Sequence, residues 1–158
     1  MNIESIKAKL LAYSRKHGKV HQNTLTRFFQ ERFLYRLSLS KYKDNFLLKG
    51  GALAYTFSGE ESRHTKDIDF LLTQLAAEQE NLKIIFKEIS KISIEDGVIF
   101  KSSNIKIETI QKEGNYTGTR VKIKAKLGRI TQQVQIDIGV GDYVTPGPQE
   151  IEYPIILK

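Results

Sequence analysis

The residues best suited to chemistry are three aspartates in segments where polar and apolar residues alternate. Asp67 and Asp69 are two positions apart, so on a strand both carboxylates project from one face, about 6.6 Å apart along the chain. Asp137 lies in a second alternating segment and can stand beside the pair if the two strands are neighbours. Adjacent carboxylates repel, and a hard divalent cation such as Mg²⁺ is the usual way to neutralise them. Three acids on one sheet face therefore favour a two-metal site for phosphoryl or nucleotidyl transfer, whereas an isolated Asp-x-Asp is more simply a solvated strand end.

A glycine pair provides a second candidate site ahead of these acids. Lys49, Gly50 and Gly51 end a short apolar run that is predicted to be a strand, and a short helix is predicted to follow. Glycine lets the backbone approach a phosphate closely, and the start of a helix exposes N–H groups. The turn is therefore suited to bind a nucleoside triphosphate, and a simple tight turn is the alternative.

The elements that must position these residues follow from hydrophobic periodicity. Apolar residues at spacings of three and four predict helices, whereas strict alternation predicts half-buried strands. In chain order the predicted elements are a helix Ile3–His17 closed by Gly18, a helix capped within Gln22–Thr24 and ending near Leu39, a strand Asn45–Lys49, a helix Ala52–Phe57, a strand Asp67–Leu72, a helix Leu75–Ile92, and strands Ile105–Thr109, Thr119–Leu127 and Gln133–Ile138. Hairpin turns are predicted at Glu113–Asn115 and Leu127–Arg129.

The order of these elements predicts an α/β (α+β) fold with one mixed, mostly antiparallel sheet. Helices would cover one side of the sheet, and the two N-terminal helices would pack against it. A length of 158 residues fits a single domain, with an N-terminal helical part at 1–40 and a catalytic core at 45–142. The apolar tail Ile151–Lys158 has nothing after it to pack against, so we expect an unfinished ending.

Composition and charge exclude several classes of protein. The chain is 40% hydrophobic and 27% charged, as in an ordinary folded domain, and it has no cysteine for a disulfide or a thiolate metal site. No apolar run approaches the length of about 18 residues that a membrane helix needs, so we expect a cytoplasmic protein without a membrane partner. The net charge of +7 favours polyanionic partners such as nucleic acid or nucleotides.

Part of this positive charge is concentrated on one predicted strand. Arg120, Lys122, Lys124 and Lys126 alternate with apolar residues and would share one face. They could contact a nucleotide or an RNA backbone. A solvated outer face of the sheet explains them equally well.

Three separated motifs occur in an order similar to hG[GS]…Dh[DE]h…h[DE]h, where h is a hydrophobic residue, except that Lys49 stands at the first hydrophobic position. Gly50-Gly51, Asp67-Ile68-Asp69 and Asp137 supply them. In this respect the sequence resembles the DNA polymerase β-like nucleotidyltransferase superfamily. It is similar in particular to the AbiEii/AbiGii-type toxin branch, through the stretches Glu31–Ser38, Phe46–Leu53, Arg63–Phe70 and Val134–Asp142.

The resemblance implies a nucleotidyltransferase toxin of a toxin-antitoxin or abortive-infection system, acting with Mg²⁺ and an NTP. Some relatives add nucleotides to tRNA 3′ ends, so the implied acceptor is an RNA such as tRNA, or a protein hydroxyl. By position, Asp67 and Asp69 would bind both metal ions, and Asp137 would complete the metal site and help to activate the attacking hydroxyl. A cognate antitoxin is the implied protein partner.

The same resemblance assigns the nucleotide-binding residues. Gly50 and Gly51 would cradle the triphosphate, while Lys49, Arg63 and Lys66 would stabilise phosphate charge. Family members usually continue into a helical C-terminal half that carries further site residues, and we expect this chain to lack that half.

Two alternatives remain open. The first is a truncated, non-catalytic module of the same fold that binds RNA, nucleotide or an antitoxin. The second is a small DNA-binding regulator, because the first two helices could imitate a helix-turn-helix. The aromatic face formed by Phe28, Phe29 and Phe33 argues for burial of the second helix instead.

Overall fold

The alternating segments form a six-stranded sheet in the computed structural model, which describes residues 2–49, 65–112, 116–140 and 152–157. The predicted mixed α/β architecture is confirmed. Its elements are α1 (Ile3–Lys16), α2 (His21–Leu39), β1 (Phe46–Lys49), β2 (Asp67–Leu72), α3 (Gln79–Ser90), β3 (Val98–Phe100), a 3-10 turn (Ser102–Asn104), β4 (Lys106–Lys112), β5 (Tyr116–Leu127) and β6 (Ile130–Val140).

The strands are ordered β1-β2-β6-β5-β3, and β4 also pairs with β5. The pairing of β2 with β6 is parallel and the others are antiparallel. Strand β5 is long enough to carry β3 and β4 one after the other along the same edge. A two-residue turn joins β5 to β6 as predicted, and Gly128 adopts the left-handed conformation there, with φ of +61°.

One face of the sheet forms the core, because alternate residues of the central strands are apolar. Ile68, Phe70, Ile136 and Ile138 are at most 1% exposed, and the helices supply the remaining apolar side chains. Phe33 of α2, for example, stacks on Phe86 of α3 with ring centroids 5.8 Å apart.

Burial of the aromatic face of α2 is confirmed. Phe28, Phe29 and Phe33 are each at most 4% exposed. A DNA-reading helix keeps its face accessible to the groove, so this burial argues against the helix-turn-helix alternative. Among the described residues, no helix is long and apolar enough to cross a membrane.

Buried charge ties α2 to distant parts of the chain. The guanidinium of Arg36, which is 1% exposed, donates to both carboxylate oxygens of Asp96 at 2.9 and 3.0 Å and to the carbonyl of Val98 at 2.9 Å. This contact places the short strand β3, which the sequence did not predict. Arg36 belongs to the stretch Glu31–Ser38 that resembles the toxin branch, and here it holds the scaffold together.

The apolar tail, which has nothing after it in the sequence to pack against, packs on residues that precede it. Ile156 is buried in the core, and its N–H donates to Oε1 of Glu31 at 2.6 Å. Burial raises the pKa of Glu31, while the hydrogen bond from Ile156 and the charge of Arg32 oppose that shift. The contact spans most of the chain, so local periodicity could not reveal it.

Several predicted boundaries also need correction. The helix predicted at Leu75–Ile92 is only Gln79–Ser90, because Gln74 turns the chain with a φ of +62° and the following residues stay outside the helix. Helix α2 begins at His21, with Val20 as its N-cap. The predicted cap residue Thr24 lies inside the helix, where its hydroxyl accepts a hydrogen bond from Ser14 at 2.8 Å.

The late strands are longer than predicted, because pairing extends them into the polar residues at their ends. β4 reaches Lys112, β5 begins at Tyr116, and β6 runs from Ile130 to Val140. The predicted helix Ala52–Phe57 and the predicted turn Glu113–Asn115 lie outside the described residues.

Candidate active site

A row of charged residues crosses the sheet at the level of Asp69. In the backbone register, Lys49 lies opposite Asp69, Asp69 opposite Asp137, and Asp137 opposite Arg120. Directly opposed residues share a face of the sheet, with side chains about 5 Å apart at their bases. Across four adjacent strands the row therefore reads cation, carboxylate, carboxylate, cation.

The apolar residues of β2 and β6 fix this arrangement. Ile68 and Ile136 are paired in the parallel register and both are 0% exposed, so the aspartates that flank them in sequence must face the other side. A slip of one residue would bury the carboxylates and expose the isoleucines. From the sequence, Asp137 could stand beside the pair only if the two strands were neighbours. In the structure they are neighbours, and Asp69 lies beside Asp137.

Asp67 lies two residues before Asp69 on β2, so its side chain projects from the same face of the sheet. Gln135 lies opposite it in the register, and the Gln135 amide donates to Oδ1 of Asp67 at 2.6 Å. Burial raises the pKa of Asp67, the charges of Asp137 and Asp69 raise it further, and Arg120 and Gln135 oppose the shift. Burial and two neighbouring carboxylates therefore both disfavour the charged form of Asp67.

Arg120 neutralises the innermost carboxylate. Asp137 is 3% exposed, and Arg120 donates to its two oxygens at 2.8 and 3.1 Å. This hydrogen bond is the main cause of the raised pKa of Arg120. The sequence had grouped Arg120 with the lysines of β5 as a possible contact for nucleotide or RNA, whereas the structure binds it to Asp137.

The partnership of Arg120 and Asp137 could have been found from the predicted turn. With a two-residue turn at Gly128 and Arg129, Leu127 faces Ile130, and seven positions along each strand bring Arg120 opposite Asp137. The register of one hairpin was therefore sufficient to identify the counterion.

The remaining predicted site residues are only partly described. Lys49 ends β1 beside Asp69, and Lys66 is exposed immediately before Asp67. Gly50, Gly51 and Arg63 lie outside the described residues.

The three carboxylates share a face but do not converge on one point. No group of three or more His, Asp or Glu side chains among the described residues is arranged to hold a metal ion. The oxygen donors of Asp67, Asp69 and Asp137 nevertheless suit a hard cation such as Mg²⁺. Arg120 already uses both oxygens of Asp137, so a cation there would have to share or displace this contact.

A polar groove adjoins the acids at the start of β2. It has a volume of about 320 Å³ and lies between the first turns of α2 and the β6 strand. Asp67 and Lys66 form one wall, and the other lining side chains are uncharged: Gln22, Asn23, Thr26, Gln132, Gln133 and Gln135.

A mixed sheet that presents three aspartates on one face, as this one does, is the arrangement expected of a nucleotidyltransferase. Residues 32–158 match the model of the family described as nucleotidyl transferase AbiEii toxin, type IV TA system. Because this match covers most of the chain, the protein belongs to the AbiEii family of nucleotidyltransferase toxins.

A crystal structure of a candidate nucleotidyltransferase from H. pylori is similar, with a TM-score of 0.48 and 18% sequence identity. The match covers 83% of this chain and 49% of that chain, so this chain spans about half the length of the H. pylori protein. No curated protein matches the chain significantly.

Replacing Asp67 with asparagine should stabilise the protein at neutral pH. Since the folded-state pKa of Asp67 is raised, its charge opposes folding above that pKa, and the opposition vanishes as the pH falls below the unfolded-state value. We expect Asp67→Asn to raise Tm by about 2 °C at pH 7. Thermal unfolding between pH 3 and pH 7 checks this, and a Tm difference that does not grow as the pH rises would contradict it.

Removing the counterion of Asp137 should destabilise the protein. Arg120→Gln leaves a buried carboxylate without its bidentate partner, so we expect the free energy of unfolding in urea to fall by about 1–2 kcal/mol. Adding Asp137→Asn should restore most of the loss. The matched control is Lys122→Gln, whose partner Glu108 is half exposed, and its loss should stay below about 0.5 kcal/mol. Equal losses in the two single variants would show that Arg120 has no special role.

Proposed function

We propose that the protein is a metal-dependent nucleotidyltransferase that transfers NMP from an NTP to a hydroxyl of an RNA such as tRNA, or of a protein. The observation that carries this proposal is the pairing of β2 with β6, which sets Asp69 beside Asp137 and puts Asp67 on the same face. Membership of the AbiEii family supports the same chemistry.

Asp67, Asp69 and Asp137 would hold two Mg²⁺ ions. The donor set fits, because all three groups supply hard oxygens and because Asp69 and Asp137 place further negative charge beside Asp67. Bound metal would supply charge stabilisation for the attacking oxygen and for the triphosphate.

The other side chains would orient these acids and the substrate. Arg120 fixes the orientation of Asp137 by donating to both of its oxygens, and it would have to release one of them before this carboxylate could help to remove the proton from the attacking hydroxyl. Gln135 fixes Asp67 through its amide. Phosphate charge would be stabilised by Lys49 and Lys66 together with Gly50, Gly51 and Arg63.

A cognate antitoxin would be the protein partner, as the type IV toxin-antitoxin description of the family indicates.

A second candidate function is a non-catalytic module that binds RNA, nucleotide or an antitoxin. One observation favours it: Arg120 occupies both oxygens of Asp137 and thereby satisfies a carboxylate that catalysis needs for a cation. The two candidates differ in their dependence on metal and in turnover.

Label transfer tests the first candidate directly. The chain is incubated with each labelled NTP, Mg²⁺ and bulk tRNA or total protein, and the products are separated on denaturing gels. We expect Asp67→Asn/Asp69→Asn to reduce transfer to below about one hundredth, because the charges that hold the metal are lost. The matched control is Asp44→Asn/Glu95→Gln, which removes two exposed acids elsewhere and should transfer label normally.

Two outcomes of this experiment would contradict the first candidate. Undiminished transfer by Asp67→Asn/Asp69→Asn would refute the assignment of these acids. No transfer by any form, with salt-sensitive and metal-independent RNA binding, would favour the non-catalytic module.

A further inference from the structure

The face that carries the acids continues along β5 and β6 as a strip of lysine and glutamine side chains. In the register, Lys122 lies opposite Gln135, Lys124 opposite Gln133, and Lys126 opposite Thr131. The strip is defined as the side chains of Lys122, Lys124, Lys126, Gln133 and Gln135.

The core fixes the strip at the surface. Val121, Ile123 and Ala125 alternate with the lysines of the strip and are all 0% exposed, so the lysines must face away from the helices. Along the strand the lysines are spaced by about 6.7 Å, at about 3.35 Å per residue. This spacing is comparable with that of successive phosphates in an extended single strand of nucleic acid.

The strip begins at the candidate active site. Gln135 donates to Asp67 at 2.6 Å, and Lys122 is the next residue on this face after Arg120, which binds Asp137. A linear polyanion lying on the strip would therefore have its end at the acids.

The charge of the strip suits such a ligand. Lys122 is partly neutralised by Glu108 at 3.1 Å. Lys124 is exposed and Lys126 half exposed, and neither forms an ion pair with an acid among the described residues. Positive charge thus increases with distance from the acids, which keeps a phosphate backbone on the strip while only its end reaches Asp67.

The groove beside the strip suits a base rather than a phosphate. Gln133 and Gln135 belong to the strip and also line the groove, and Asn23 and Gln22 of α2 line it too, with Gln22 donating to Gln132 at 3.0 Å. Carboxamides donate and accept hydrogen bonds at once, which matches the mixed donor and acceptor edge of a nucleobase. Single-stranded RNA is recognised through such exposed base edges.

We propose that the strip and the groove bind the single-stranded end of an RNA acceptor. Its phosphates lie along Lys122, Lys124 and Lys126, a base near the end enters the groove, and the terminal hydroxyl meets the acids. This inference rests on the proposed function, because it assigns the acceptor to the same site.

RNA binding by the full chain tests the proposal. A fluorescein-labelled single-stranded RNA is titrated by anisotropy from about 50 to about 200 mM salt. For Lys124→Ala/Lys126→Ala we expect binding about tenfold weaker and a salt slope smaller by about 1.4, since each lost phosphate contact contributes about 0.7. The matched control Lys83→Ala/Lys91→Ala removes two exposed lysines on and just after α3, and its affinity should stay within about twofold.

A second variant separates base contacts from charge. Gln133→Ala should weaken binding about fivefold without changing the salt slope, because an amide contact releases no counterions. Both variants should keep the circular dichroism spectrum and Tm of the unmodified chain, since Lys124 and Gln133 are exposed and Lys126 is half exposed.

Three results would overturn the proposal. RNA affinity in Lys124→Ala/Lys126→Ala equal to that of the control would show that the strip is not used. Retained affinity in Gln133→Ala would remove the groove from the site. Binding of polyglutamate with the same dependence on the strip lysines would instead assign the strip to an acidic protein.

The RNA proposal and the proposed function fail separately. Asp67→Asn/Asp69→Asn should bind RNA at least as tightly as the unmodified chain, because it removes negative charge. Strip-dependent binding without any nucleotide transfer would leave the RNA site standing and refute the transferase. Transfer to RNA that is unchanged in Lys124→Ala/Lys126→Ala and in Gln133→Ala would support the transferase and refute the RNA site.

Discussion

The parallel pairing of β2 with β6 is the constraint on which the site depends, because it forces Asp69 and Asp137 to stand side by side. Like charges at this spacing repel strongly in a partly buried position. Ile68 on β2 and Ile136 on β6 are next to these aspartates in sequence and are fully buried. The register therefore cannot slip to separate the acids. The strand pairing therefore places two carboxylates side by side at a cost to the stability of the fold.

Much of the surrounding structure compensates for that charge. Arg120 neutralises Asp137 from one side, Gln135 satisfies Asp67, and Lys49 stands beside Asp69 at the other end of the row. Burial nevertheless raises the pKa of Asp67, and the neighbouring charges of Asp137 and Asp69 raise it further. A site that remains electrostatically unfavourable without a cation is the pattern expected where stability is traded for function.

How far the sequence predicts this structure depends on the range of each contact. Alternation in β2 and β6 predicted which face carries the acids, and the two-residue turn at Gly128 is enough to place Arg120 opposite Asp137. The sequence did not predict that β2 and β6 are neighbours, because no local pattern selects a partner for a strand that lies far away in sequence. The placement of Asp137 beside Asp69 depended on that pairing.

The features that the sequence did not predict have the same origin. Strand β3 is positioned by the buried pair of Arg36 and Asp96, and the tail by the contact of Glu31 with Ile156. Both contacts join residues separated by 60 or more positions, and a sequence pattern read in short windows does not register them. The roles of the acids in catalysis likewise come from the family resemblance and stay a prediction.

The most direct test of the account is to locate a bound divalent cation. Mn²⁺ is titrated into the ¹⁵N-labelled chain, and paramagnetic broadening of the amide signals is followed by NMR. We predict that the signals around Asp69 and Asp137 broaden first, and that Asp69→Asn/Asp137→Asn abolishes this effect in a folded protein. Broadening centred elsewhere, or unchanged by the double substitution, would contradict a cation site on the paired strands.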